Sequence, residues 1–179
     1  MGRLEEAVKI ILEEIGEDVS REGLIETPKR VAKMFLEVCS SLKEDPPDLK
    51  VFTNEENYNQ MVIVKDIPYY SLCEHHLVTF FGTASVGYIP RNKYVGLSKI
   101  ARTVEYFAKK PQVQERLTEE VADYLFNGLE PEGLIVVVKG RHLCMEARGV
   151  KKTGAETVTS AIRGYIDKQE FLQLLNTTK

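Results

Sequence analysis

The residues best equipped for chemistry fall into two short clusters. Ser71-Leu72-Cys73-Glu74-His75-His76 puts a thiol, a carboxylate and two imidazoles in consecutive positions. Arg141-His142-Leu143-Cys144 holds a further imidazole, with a thiol two residues on. The chain has three histidines and three cysteines. Every histidine and two of the cysteines therefore lie in these clusters, and a fold that joined them would make a site for a transition metal. Cys73 and His76 are three apart, which on a tight turn aims both at one ion. His142 and Cys144 are two apart, and positions two apart on a strand share a face. Cys73, His76 and Cys144 would then form a Cys₂His set. Three protein ligands leave the fourth position to water, as in catalytic rather than structural zinc. Zinc brings the pKa of such a water to about 7 and so supplies a hydroxide nucleophile. An uncoordinated His142 or His75 can move protons near neutral pH. No paired CxxC is present and the spacing matches no common zinc finger. A metal-free alternative, a buried Cys144 with surface histidines, therefore stays open. Cys39 falls in a predicted helix and reads as a core thiol.

A second constellation is basic. Gly96-Leu97-Ser98-Lys99-Ile100-Ala101-Arg102 opens a predicted helix, and helix N-termini attract anions through their unpaired N–H groups. Lys99 and Arg102 are three apart and share a helical face, so they can clamp a phosphate chain. Arg148 is even-spaced from His142 and Cys144, and a strand there would put it on the same face. Arg30, beside the helix start at Pro28, is a further candidate. The plainer alternative is solvated surface charge. Gln114-Glu115, taken alone, reads as an ordinary helix start.

These residues need elements to position them. Leu4, Val8, Ile11, Leu12 and Ile15 recur at helical spacing, with Gly16 as a stop. A second helix starts at Thr27-Pro28, threonine as its cap. Lys43 to Lys50 is a loop. Met61 to Ile67 reads as a strand ended by Pro68, and Leu77 to Ile89 as another. Ile100, Val104, Phe107 and Ala108 mark a helix over 98–110. Val113 to Phe126 marks the next, ended at Asn127-Gly128. Leu134 to Val138 is a buried strand, Lys139-Gly140 its turn, and His142 to Val150 its hairpin partner. Thr157 to Tyr165 is a further strand and Asp167 to Leu175 a last helix. The pattern is α+β with a mainly antiparallel sheet. Residues 1–50 form an N-terminal helical extension and residues 51–179 the domain carrying both clusters.

Bulk properties narrow the function. With 179 residues, 43% hydrophobic and 28% charged, the chain can bury a core without disulfides. A net charge of −3 argues against general nucleic-acid binding. No apolar run is long enough for a membrane span. Nor does the N-terminus have the uninterrupted apolar core of a signal peptide, so a cytoplasmic protein is expected. Three unevenly placed cysteines make no disulfide framework.

Four motifs carry a resemblance. They are Ser71 to His76, Gly96-Leu97-Ser98-Lys99, Pro111-Gln112-Val113-Gln114-Glu115-Arg116-Leu117-Thr118, and His142-Leu143-Cys144-Met145-Glu146-Ala147-Arg148-Gly149. In this order and spacing they closely resemble GTP cyclohydrolase I, over about residues 20 to 170. Glu26 to Met34 looks like that family's N-terminal helix. The resemblance implies the tunnelling fold, an antiparallel sheet with a helix pair on one face. It implies hydrolysis of the guanine ring of GTP at C8, release of formate, and rearrangement to 7,8-dihydroneopterin triphosphate, the first step toward pterins and folate. By the same resemblance Cys73, His76 and Cys144 would bind zinc. His142 would be the general acid/base on the purine, His75 would assist proton transfer, and Ser98 would lie near the ribose. Glu115, with Gln114 beside it, would anchor the guanine edge. Lys99, Arg102 and Arg148 would hold the triphosphate, with Arg30 reaching in from a neighbour in a homodecamer whose sites lie at subunit interfaces. A nucleobase deaminase is a poor rival, because its His-x-Glu and Pro-Cys-x-x-Cys signature is absent. The full Cys73/His76/Cys144 set argues against a tunnelling-fold relative with other chemistry, and the missing fourth ligand against a zinc-stabilised interaction module, which metal removal would separate by unfolding. Iron(II) in place of zinc also stays open.

Overall fold

The computed structural model describes residues 2–176. The chain divides into two compact units, 1–40 and 41–179. The first holds α1 (Arg3–Glu14) and α2 (Thr27–Val38). Gly16 ends the first helix at φ +86°, with its N–H on Glu13 O and that of Glu17 on Leu12 O. Glycine reaches this left-handed conformation at no steric cost. Thr27 is the first helical residue rather than the cap, a place taken by Glu26. Cys39 lies just past α2 and is only partly buried.

The second unit begins earlier than the loop composition suggests. Ser41 Oγ donates to Lys109 O, Tyr106 OH to Glu44 O, and Tyr124 OH to Pro47 O. These bonds tie 41–50 to later helices. A short ribbon pairs β1 (Val51–Thr53) with β4 (Lys93–Val95). The main sheet comprises β2 (Val62–Cys73), β3 (Thr79–Ile89), β5 (Pro111–Gln112), β6 (Gly133–His142) and β7 (Glu156–Gly164). Their order is β5-β2-β3-β6-β7, antiparallel except for the β2–β5 pair. The architecture is α+β, as the alternation of apolar patterns implies.

The sheet buries both faces in its middle. Leu134, Val136 and Val138 of β6 join Phe80, Ala84 and Val86 of β3 on one side. They pack there against Ile100, Val104, Leu117, Val121 and Leu125 from α3 (Leu97–Ala108) and α4 (Gln114–Leu129). Ile135 and Val137 face the other way and meet Phe171 of α6 (Lys168–Asn176). A strand covered on both faces reads as a continuous apolar run rather than an alternating one, which is why Leu134 to Val138 shows no period of two.

Three sequence expectations fail here. Pro68 does not end a strand; β2 continues to Cys73. On its far side, among the described residues, β2 pairs only at Leu72 and Cys73, with β5. Pro68 thus sits where that edge is open, and proline is tolerated on an edge. Nor do Lys139-Gly140 form a turn; both lie within β6. A Cβ on Gly140 would run into Gln114 Oε1 and Tyr69 OH, and one on Gly82, its partner in β3, would meet Lys139 O. These glycines allow close packing within the sheet rather than a reversal. Finally, 142–150 is not a strand. Leu143–Glu146 form a single helical turn, α5, and the true partner of β6 is β7.

Candidate metal and nucleotide site

Cys73 closes β2 and sits in a hard turn. Its carbonyl accepts from both His76 N and Leu77 N, its N–H donates to Val78 O, and Leu77 has φ +53°. A branched side chain in the left-handed region is strained, and the turn folds His76 back beneath Cys73. On the second segment, Arg141 donates from Nε to Glu146 Oε1 at 2.8 Å and from Nη2 to Oε2 at 2.6 Å. This fork pins the one-turn helix that carries Cys144. The strand geometry expected for His142 and Cys144 is therefore wrong, yet both still reach the same cavity, one from a strand end and the other from a helical turn.

The ligand atoms of Cys73, His76 and Cys144 lie within 4.8 Å of one another. Cys144 Sγ is 3.9 Å from Cys73 Sγ, and His76 Nδ1 is 3.8 Å from Cys73 Sγ. A tetrahedral zinc with bonds of about 2.3 Å to sulfur and 2.0–2.1 Å to nitrogen needs separations of about 3.8 and 3.6 Å. The Cys73–Cys144 and Cys73–His76 separations match such an ion, and His76 and Cys144 lie within 4.8 Å of each other. Burial, then the adjacent Cys73, pushes the Cys144 thiol above the ordinary cysteine range, with Arg148 opposing. A cation taking the place of the thiol proton would relieve this crowding.

The trio opens on a cavity of about 330 Å³, whose walls also include His75, Gln114, Glu115, His142 and Thr157. His142 closes β6. Its ring lies parallel to Phe80, with centroids 4.8 Å apart and planes 2° apart, and Nε2 is 3.1 Å from Gln114 Oε1. Burial pushes His142 below the usual imidazole value, against a smaller opposite pull from Glu115. It is therefore neutral at pH 7. Glu115, exposed at the start of α4, offers its carboxylate to the cavity. Gln114 behind it is 1% exposed, and its side chain is occupied by protein partners.

The basic residues are placed differently. Ser98, Lys99 and Arg102 lie on the first turns of α3, and none lines this cavity. Arg102 lines a separate groove of about 430 Å³ with Pro68, Tyr70 and Lys109. Arg148 follows α5, exposed but near enough to influence Cys144; it is not on a strand face. Arg30 is exposed on α2 in the first unit. One chain thus brings Cys73, His76, Cys144, His142 and Glu115 around one cavity and leaves Ser98, Lys99 and Arg102 outside it.

Sequence reasoning missed the support around these groups. Phe80 reads as an ordinary core residue in a β-rich run, and only the fold reveals its stack. Glu74 receives Arg116 Nη2. Arg116 Nε donates to the buried Gln112 Oε1 at 2.6 Å, and Gln112 Nε2 to Glu120 Oε2 at 2.8 Å. The Arg116 bond holds the Glu74 carboxyl below the usual range. This chain braces the turn at Cys73 from outside.

The family model described as GTP cyclohydrolase I matches residues 4–178. The chain belongs to the GTP cyclohydrolase I family. It is 55% identical over 166 residues to "GTP cyclohydrolase 1" of Geobacillus kaustophilus, covering 92% of this chain and 88% of that one. It is 58% identical over 163 residues to "GTP cyclohydrolase 1" of Halalkalibacterium halodurans, covering 90% and 87%. A solved archaeosine synthase QueF-Like structure shares 20% identity over 60% of this chain with a TM-score of 0.48, too distant to bear on fold or function. Membership agrees with a Cys-His-Cys group able to hold a metal ion. Among the described residues no helix is long and apolar enough to cross a membrane.

Proposed function

We propose that this chain is a GTP cyclohydrolase. It opens the guanine imidazole ring of GTP at C8, releases formate and rearranges the ribose to give 7,8-dihydroneopterin triphosphate. One observation carries the reading: in a member of this family, Cys73, His76 and Cys144 share a cavity wall with His142 and Glu115. Zinc held by the trio would act as the Lewis acid that makes a coordinated water nucleophilic at neutral pH. The protein's own groups do the rest. Glu115 accepts the N1–H and 2-amino donors of guanine. Adenine lacks that donor pair and would leave the carboxylate unpaired, so it is rejected. His142, neutral and held flat against Phe80, exchanges a proton with the purine. His75, at the cavity mouth, assists proton transfer during ribose opening, with Ser98 near the ribose.

Lys99, Arg102, Arg148 and Arg30 hold the triphosphate. Since Lys99 and Arg102 do not line this cavity in one chain, we infer a homo-oligomer, a decamer, in which neighbours complete each site. We infer that the catalytic tunnelling-fold domain expected over 51–179 also takes in 41–50, leaving 1–40 as the helical extension, and that the protein works in the cytoplasm on the pathway to pterins and folate. Incubating zinc-loaded protein with GTP tests this. Formate and a pterin chromophore are expected in equal amounts, and absence of both refutes the reading.

A further inference from the structure

Gln114 is more than a neighbour of Glu115. It is the first residue of α4 and is 1% exposed. Its Nε2 lies 3.1 Å from Val138 O, 3.0 Å from Thr157 O and 3.2 Å from Thr159 Oγ1, while Oε1 lies 3.1 Å from His142 Nε2. The amide cannot be turned over, because its oxygen would then face two backbone carbonyls, which only accept. The hydroxyls agree. Thr118 Oγ1 spends its one hydrogen on Gln114 O at 2.7 Å. In the Thr118–Thr159 pair at 2.6 Å, Thr159 must then be the donor, which leaves its lone pair free for Gln114 Nε2. Every donor in this cluster is assigned, and Oε1 is left as an acceptor. His142 Nε2 must therefore carry a hydrogen.

The fold makes room for this arrangement. Gly140 leaves the space that Gln114 Oε1 and Tyr69 OH occupy. Phe80 fixes the plane of the imidazole, and the amide fixes its rotation in that plane. We propose that Gln114 is a positioning residue that locks His142 in the Nε2–H tautomer, so that Nδ1 is the bare nitrogen available for proton transfer. The hydrogen-bond partner of one ring nitrogen commonly sets the state of the other. The inference rests on the cyclohydrolase reading for its catalytic meaning, but the tautomer itself does not.

With three histidines in the chain, the test is direct. Zinc-loaded protein carrying ¹⁵N-histidine is examined by solid-state NMR at pH 8, with His142 assigned by its loss in a His142→Asn protein. A protonated Nε2 and bare Nδ1 are expected; a protonated Nδ1 overturns the proposal. In Gln114→Met the His142 signals should show both tautomers. Its kcat on GTP should fall about 10–100-fold, with KM and zinc content unchanged. A raised KM with kcat intact would show instead that Gln114 touches the substrate, and would also overturn the proposal. If Gln114→Met does not fold, the wild-type spectrum still decides. Wild-type protein that makes no formate refutes the cyclohydrolase reading and leaves the tautomer result standing.

Discussion

Replacing Phe80 by leucine separates the stability of this core from the positioning of His142. Phe80 is fully buried and makes two ring contacts. One is edge-on to Tyr69 at 5.9 Å and 71°, the other parallel to His142 at 4.8 Å. Leucine keeps most of the apolar burial but loses both contacts, each worth about 0.5–1.5 kcal/mol beyond area. The expected cost is about 1–3 kcal/mol, or a Tm lower by about 2–12 °C at fixed protein concentration for a chain of this size. Phe80 is not a candidate ligand, so metal content should be unchanged. The imidazole, however, loses one wall. A displacement on the order of 1 Å is enough to cost as much as about 10²-fold in kcat. The assay pairs thermal unfolding with formate release at saturating GTP and zinc analysis of the same sample. A normal kcat alongside a lowered Tm would refute the claim that the stack positions His142. Loss of zinc would place Phe80 in the metal site instead.

Three further outcomes are expected. Cys144→Ser should lose metal and activity together in parallel zinc and formate assays; activity without metal would sink the metal reading. Because burial raises the Cys144 pKa, its thiol is neutral at pH 7 and must be deprotonated to bind. Metal affinity should therefore fall as pH falls, and at least about one proton should be released per ion at pH 7, read by calorimetry in buffers of different ionisation enthalpy. Glu115→Ala should raise KM for GTP at least about 10-fold, as expected when a charge-assisted pair worth about 1.5–3 kcal/mol is lost. It should leave zinc content alone, and a fall in zinc would show that Glu115 serves the metal.

Much of the fold is legible from local pattern. The helices over 97–108 and 114–129 follow from apolar spacing, and the strand at 134–138 from its β-branched run. The errors share one physical source. Proline and glycine were read as punctuation, yet their meaning depends on what lies beside them. Pro68 is allowed because the adjoining edge is open, and Gly140 is required because Gln114 and Tyr69 fill the space a Cβ would take. Both facts are long-range and invisible to a window of sequence. The one-turn helix at Leu143–Glu146 is likewise set by the Arg141–Glu146 fork and not by propensity.

The grouping of Cys73, His76 and Cys144 was readable for a different reason: it depends on side-chain chemistry and not on backbone shape. Cys144 reaches the other two from a helical turn although a strand was expected. What the sequence could not reveal is how segments about 70 residues apart come into line. The two ladders of β3 explain it. Phe80 is the register partner of Ser71 in β2 and also of His142 in β6. One cross-strand row thus joins the two clusters, with Cys73 and Cys144 each two residues past its ends. Because side chains alternate faces, a slip of one residue in the β3–β6 ladder would send His142 to the opposite side of the sheet. The facing glycines Gly82 and Gly140 guard against that slip. The Lys139 backbone fills the space beside Gly82, and the Gln114 and Tyr69 side chains fill that beside Gly140, so any other register would press a bulkier residue into it. The register of β3 is therefore as much a part of the site as the ligands are.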